Sequence, residues 1–143
     1  MRPLLVVACL VLGLTVGAAA ASASGGIQFI RTPSKNIGCV YSPAAAGQKA
    51  ALRCDIRSGI KPTPTRPKGC DLDFGDSFEL GPTGRAILVC HGDTALDPHA
   101  RVLAYGKTWR AGPVVCASST AGLRCKNGSG HGFFLSREHS YRF

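Results

Sequence analysis

The chain has 143 residues, with 17 Lys and Arg against eight Asp and Glu, a formal net charge of +9, and seven cysteines. That length is a single-domain size. The basic excess suits a polyanionic partner, but no nucleic-acid-binding motif accompanies it, so nucleic acid is not expected.

The chain opens as an export signal. Arg2 supplies a positive start, and Leu4 to Val16 is almost wholly apolar, too short to span a bilayer well. Ala21-Ser22-Ala23 follows as a cleavage site. Residues 1–23 are thus expected to leave, taking Cys9 with them, and residues 24–143 to form a single secreted domain with no transmembrane segment. The mature part keeps sixteen Lys and Arg against eight acids, +8.

Short strands and turns follow in sequence. Ile27 to Arg31 reads as a first strand. Ile37 to Tyr41 and Ala50 to Ile56 read as the next two, carrying Cys39 and Cys54. Lys61-Pro62-Thr63-Pro64-Thr65-Arg66-Pro67 reads as an extended connector, because proline cannot donate to a sheet ladder. Phe78 to Leu80 and Arg85 to Cys90 flank the turn Gly81-Pro82-Thr83-Gly84. Arg101 to Tyr105 and Thr108 to Arg110 lie about Gly106-Lys107. Val114 to Ala117 and Leu123 to Lys126 flank Ser118 to Gly122. A last strand begins at Gly132 to Leu135 and runs to near Phe143. No long window has a helical period. The expected fold is therefore all-β, a small disulfide-stapled antiparallel sandwich or barrel of short strands. Leu52-Arg53-Cys54 and Leu123-Arg124-Cys125 each close a cysteine-bounded hairpin, the same hairpin solution used twice.

Six mature cysteines, Cys39, Cys54, Cys70, Cys90, Cys116 and Cys125, form an even set in an exported chain, which reads as a disulfide framework. A zinc site would bring close C-x-x-C pairs, and the closest pair, Cys116 and Cys125, has eight residues between. Six cysteines allow fifteen connectivities. Each successive pair encloses a turn-rich segment, which favours Cys39–Cys54, Cys70–Cys90 and Cys116–Cys125.

The ordered motifs Thr32-Pro33-Ser34-Lys35-Asn36-Ile37-Gly38-Cys39, Leu52-Arg53-Cys54-Asp55-Ile56, Cys70-Asp71-Leu72-Asp73-Phe74-Gly75, Cys90-His91-Gly92-Asp93-Thr94, Tyr105-Gly106-Lys107-Thr108-Trp109, Gly122-Leu123-Arg124-Cys125 and Gly130-His131-Gly132-Phe133 span nearly the whole mature part. In that order the chain resembles a family of small secreted, mostly actinobacterial proteins, a domain of unknown function (family 6636). Lys35 stands where that pattern has Gly, and Phe74 where Trp is commoner. The resemblance implies a secreted, cysteine-paired domain and brings no activity.

Several residue groups carry possible chemistry. His91 and Asp93, at i and i+2, share a face if the segment is a strand and would then form an acid/base pair; the competing reading is a polar turn. Gly128-Ser129-Gly130-His131-Gly132 lets a ligand approach closely, although no phosphate-loop Lys follows. Ser34, Ser118, His131 and Asp93 are the members from which a Ser/His/Asp set would have to assemble. Trp109, Tyr105, Tyr41 and Phe133 are candidates for an aromatic platform, although a lone Trp such as Trp109 is more often a core anchor over a disulfide. Asp71, Asp73, Asp76 and Glu79 lack the order of a calcium loop and read as a solvated acidic segment. The balance predicts a secreted, envelope-associated, non-enzymatic binding domain without cofactor or metal. Its partner would be an anionic cell-envelope polymer or a secreted protein, and its binding residues Trp109, Tyr105 and His131. An enzyme inhibitor, or a hydrolase using His91 or His131 with Asp93, is the alternative.

Overall fold

A computed structural model describes residues 25–143, so the expected export signal at residues 1–23 lies outside the described residues. The described chain has no helix and eleven strands: β1 (Gln28–Arg31), β2 (Ile37–Ser42), β3 (Ala51–Ile56), β4 (Ser77–Leu80), β5 (Ile87–Leu88), β6 (Arg101–Val102), β7 (Thr108–Ala111), β8 (Val114–Ser119), β9 (Gly122–Lys126), β10 (Gly132–Leu135) and β11 (Ser140–Arg142). They form a six-stranded sheet, β5-β4-β3-β2-β1-β6, and a five-stranded sheet, β11-β10-β9-β8-β7. Every pairing is antiparallel except β6, which joins β1 in parallel. The fold is all-β, and the two sheets enclose one core as a sandwich.

Alternation along each strand decides which face is buried. On β3 the core takes Leu52, Cys54 and Ile56, and Arg53 and Asp55 point the other way. On β9 the core takes Leu123 and Cys125, and Arg124 and Lys126 face out. The disulfides are Cys39–Cys54, Cys70–Cys90 and Cys116–Cys125. The first and third join directly opposed residues on neighbouring strands, with Cα separations of 4.1 and 4.0 Å, the close spacing of a non-hydrogen-bonded pair.

The hairpin echo seen in the sequence extends through both sheets. Across β1 to β5 one row reads Ile30, Cys39, Cys54, Phe78, Leu88. Across β7 to β11 the matching row reads Trp109, Cys116, Cys125, Phe133, Arg142. The next rows match as Tyr41, Leu52, Leu80 and Ser118, Leu123, Leu135. Each sheet thus contains a five-strand meander with a disulfide between its second and third strands and a phenylalanine on its fourth, and β6 adds a sixth strand to the first sheet. The two phenylalanines, Phe78 and Phe133, meet between the sheets with ring centroids 5.5 Å apart.

Three expected strands differ from those observed. Arg85 to Cys90 contributes only Ile87–Leu88, and Arg101 to Tyr105 only Arg101–Val102. The final stretch is two strands, because the chain reverses at Ser136–His139. The Ser136 hydroxyl accepts from the Glu138 and His139 amides and donates to the His139 carbonyl, closing a turn without Gly or Pro. The connector 61–67 stays outside both sheets.

Candidate functional site

Of the residues singled out by the sequence, Trp109 lies in the core. It sits opposite Cys116 and is 5% exposed, so it anchors the disulfide layer and presents no face to a ligand. Tyr41 and Phe133 are buried too, which leaves Tyr105 as the exposed member of the expected aromatic platform. His131 lies in the turn between β9 and β10, where its carbonyl accepts from the Asn127 amide. That turn docks on the β4–β5 turn, since the Asn127 side-chain amide donates to the Gly81 and Gly84 carbonyls.

His91 and Asp93 are elsewhere, against the outer side of the first sheet. The His91 ring does not pair with the Asp93 carboxylate. Its Nδ1 lies 2.6 Å from the Asp93 carbonyl oxygen, and its Nε2 lies 2.9 Å from Asp76 Oδ1. Burial lowers the His91 pKa, but the Asp76 hydrogen bond, the Asp93 carbonyl and the Asp55 and Asp76 charges outweigh it, so the pKa is raised. With its two nitrogens held against the Asp93 carbonyl and Asp76, the ring has none free to face a substrate as a base.

The segment after His91 is a strap held by one buried carboxylate. Asp55, 1% exposed, accepts from Arg53 Nε and Nη2 at 3.0 and 3.1 Å, from the Ser77 hydroxyl at 2.8 Å, from the Thr94 hydroxyl at 3.2 Å and from the Ala95 amide at 2.7 Å. Burial pushes the Asp55 carboxyl up, yet Arg53, the Ala95 amide and Ser77 together hold it below the usual range. Arg53 also grips Asp93 through Nη1 at 2.7 Å, which lowers the Asp93 pKa. The strap crosses β2 at Gly38, where a Cβ would meet the Ala95 carbonyl oxygen at 2.5 Å and Leu96 Cα at 2.9 Å. These contacts make the His91–Ala95 cluster a structural clasp. Among the described residues, no group of three or more His, Cys, Asp or Glu is placed to hold a metal ion, and no helix is long and apolar enough to cross a membrane.

The outer face of the second sheet has a different character. Alternation on β7 to β11 turns two rows outward: Thr108, Ala117, Arg124, Phe134, Tyr141, and Arg110, Val115, Lys126, Gly132, Phe143. They combine three cations and three aromatic rings, with no acid in either row. Phe134 and Tyr141 stack at 5.4 Å, His139 lies parallel to Tyr141 at 6.0 Å, and the Arg124 guanidinium sits 3.7 Å above the Phe143 ring. Tyr141 is 44% exposed. Glycines make room for the rings: a side chain at Gly122 would strike Phe134, and one at Gly132 would strike Phe143. Flat rings suit sugar faces and other planar or apolar groups, and the interleaved cations suit anionic substituents.

The sequence reading missed Arg124, Phe134, His139, Tyr141 and Phe143. Their signal was present as period two: Arg124 and Lys126 flank buried Cys125, Phe134 follows buried Phe133, and Tyr141 and Phe143 stand two apart.

No curated protein and no solved structure matches this chain. A family profile described as a family of unknown function, DUF6636, matches residues 8–143, nearly the full length, and the chain belongs to that family.

Proposed function

We propose that this chain is an exported, non-enzymatic binding domain that holds an anionic polymer of the cell envelope on the outer face of its second sheet. The carrying observation is the arrangement of Arg110, Arg124 and Lys126 among Phe134, Tyr141 and Phe143 on two adjacent rows free of acids. The net positive charge supports long-range attraction to such a polymer. Three disulfides suit an oxidising compartment outside the cytoplasm.

The rings supply contact area with little side-chain entropy to lose, and the cations supply attraction that salt screens over a Debye length of about 10 Å at 0.1 M. Retention on purified cell wall across a salt series tests the reading. The wild type is expected to bind at low salt and elute as salt rises, and Tyr141→Ala and Arg124→Gln are each expected to elute earlier. Absence of retention at low salt, or equal retention on a neutral polysaccharide, would overturn it.

A further inference from the structure

A second feature lies at the open side of the sandwich, where β5 and β11 are the terminal strands of their sheets. Arg142 links the two edges by donating from Nη1 to the Ala86 carbonyl at 3.2 Å. Between them runs a groove of about 550 Å³ floored by Phe78 and Leu88 and roofed by Pro62 and Pro64. Arg85 and Arg142 line it, and no acidic side chain does.

The β11 backbone sets what the groove can accept. Phe143 exchanges both backbone hydrogen bonds with Gly132, so its N–H and C=O point toward β10. Backbone direction alternates along a strand, so the N–H and C=O of Arg142 point away from β10, on the side where the Ser140 amide also points. That amide already has a partner in the Lys61 carbonyl at 2.7 Å. The connector thus makes one edge contact, and Pro62, with no N–H, cannot extend it as a ladder. At Arg142 the edge has no neighbouring strand. An unpaired strand edge beside a trough of mixed polar and apolar lining is the geometry of β-strand addition, in which main-chain bonds supply affinity and alternate side chains supply selectivity.

We infer that the β11 edge beside the Pro62–Pro64 roof is a docking site for an extended acidic peptide segment, which pairs with the Arg142 backbone and places carboxylates against Arg85 and Arg142. Charge complementarity selects the occupant: two arginines and no acidic side chain line the trough, and main-chain groups are the open partners. The groove adjoins the polymer face, sharing Tyr141 and Phe143 with it, and makes the domain able to hold a protein segment as well.

The test uses a blocked hexapeptide of alternating glutamate and valine titrated into the ¹⁵N-labelled, disulfide-intact domain. Saturable shifts are expected at Ser140–Phe143 and in residues 60–65, with exchange of the Arg142 amide slowed at least tenfold at saturation. A peptide with alternate amides N-methylated is expected to bind at least tenfold more weakly, and its lysine counterpart not to bind. Arg85→Gln, at an exposed position, is expected to weaken binding several-fold without altering the fold. No saturable shift at millimolar peptide, undiminished binding of the N-methylated peptide, or shifts confined to Arg124 and Lys126 would overturn the proposal. Wall retention is not the readout, so failure of either reading is distinguishable from failure of the other.

Discussion

Asp55→Ala should be the most informative single change to the clasp. Asp55 collects five hydrogen bonds on a 1% exposed carboxylate, two of them from Arg53. Removing it strands the buried Ala95 amide and the fully buried Ser77 hydroxyl, and leaves Arg53 only its contacts with Asp93. An orphaned buried donor costs about 1–3 kcal/mol, and breaking one side of a buried charge pair costs about 3–5 kcal/mol. These overlap, because the same carboxylate serves both, so the expected loss is about 4 kcal/mol. That is a large share of a typical stability of about 5–15 kcal/mol. With a urea slope of about 2 kcal/mol/M, the midpoint should fall by about 2 M. Hydrogen exchange at Ala95 should accelerate in step. A midpoint shift below about 0.5 M with Ala95 still protected would refute the assignment of Asp55 as the clasp's anchor.

The pH dependence of stability should have two limbs. Asp55 has a lowered folded pKa, so its contribution is present above the ordinary carboxylate pKa of about 3.9 and lost as pH falls through the folded value; Asp55→Asn should flatten the acid limb of a urea-midpoint profile. His91 has a raised folded pKa, so its contribution is complete below about pH 6.5 and lost as pH rises through the folded value; His91→Gln should flatten that limb. Mild reductant should open Cys70–Cys90 first, since Cys90 is exposed while the sulfurs of the other two pairs are buried; differential alkylation and intact mass would show two labelled thiols before six, and simultaneous labelling would contradict it. Gly38→Ala should cost about 1–3 kcal/mol in a urea titration, because the added methyl meets strap backbone that has to move.

Much of the fold was readable because a half-buried strand writes its own face pattern. Cys39, Cys54, Cys116 and Cys125 sit on strands whose neighbours alternate, and each successive pair encloses a short loop, which fits their observed bonding. The break at Ser136–His139 was not readable, since a serine side chain closes that turn and no Gly or Pro marks it. The partner of His91 was not readable for a related reason: the chain turns at Gly92, and the acceptor on Nε2 is Asp76, fifteen residues earlier. Such partners are set by how loops fold over a sheet, which local spacing does not encode. Tyr141 and Phe143 were visible as a two-residue period, but their meeting with Arg124 depends on the β9–β10–β11 register.

The most direct test of the binding account is residue-level footprinting of the domain on purified anionic wall polymer by hydrogen exchange and carboxyl-independent side-chain labelling. Protection of Tyr141, Phe143 and the β9–β11 backbone that disappears at high salt is expected. Protection confined to the outer side of the first sheet, around Arg53 and Asp93, or protection insensitive to salt, would contradict it.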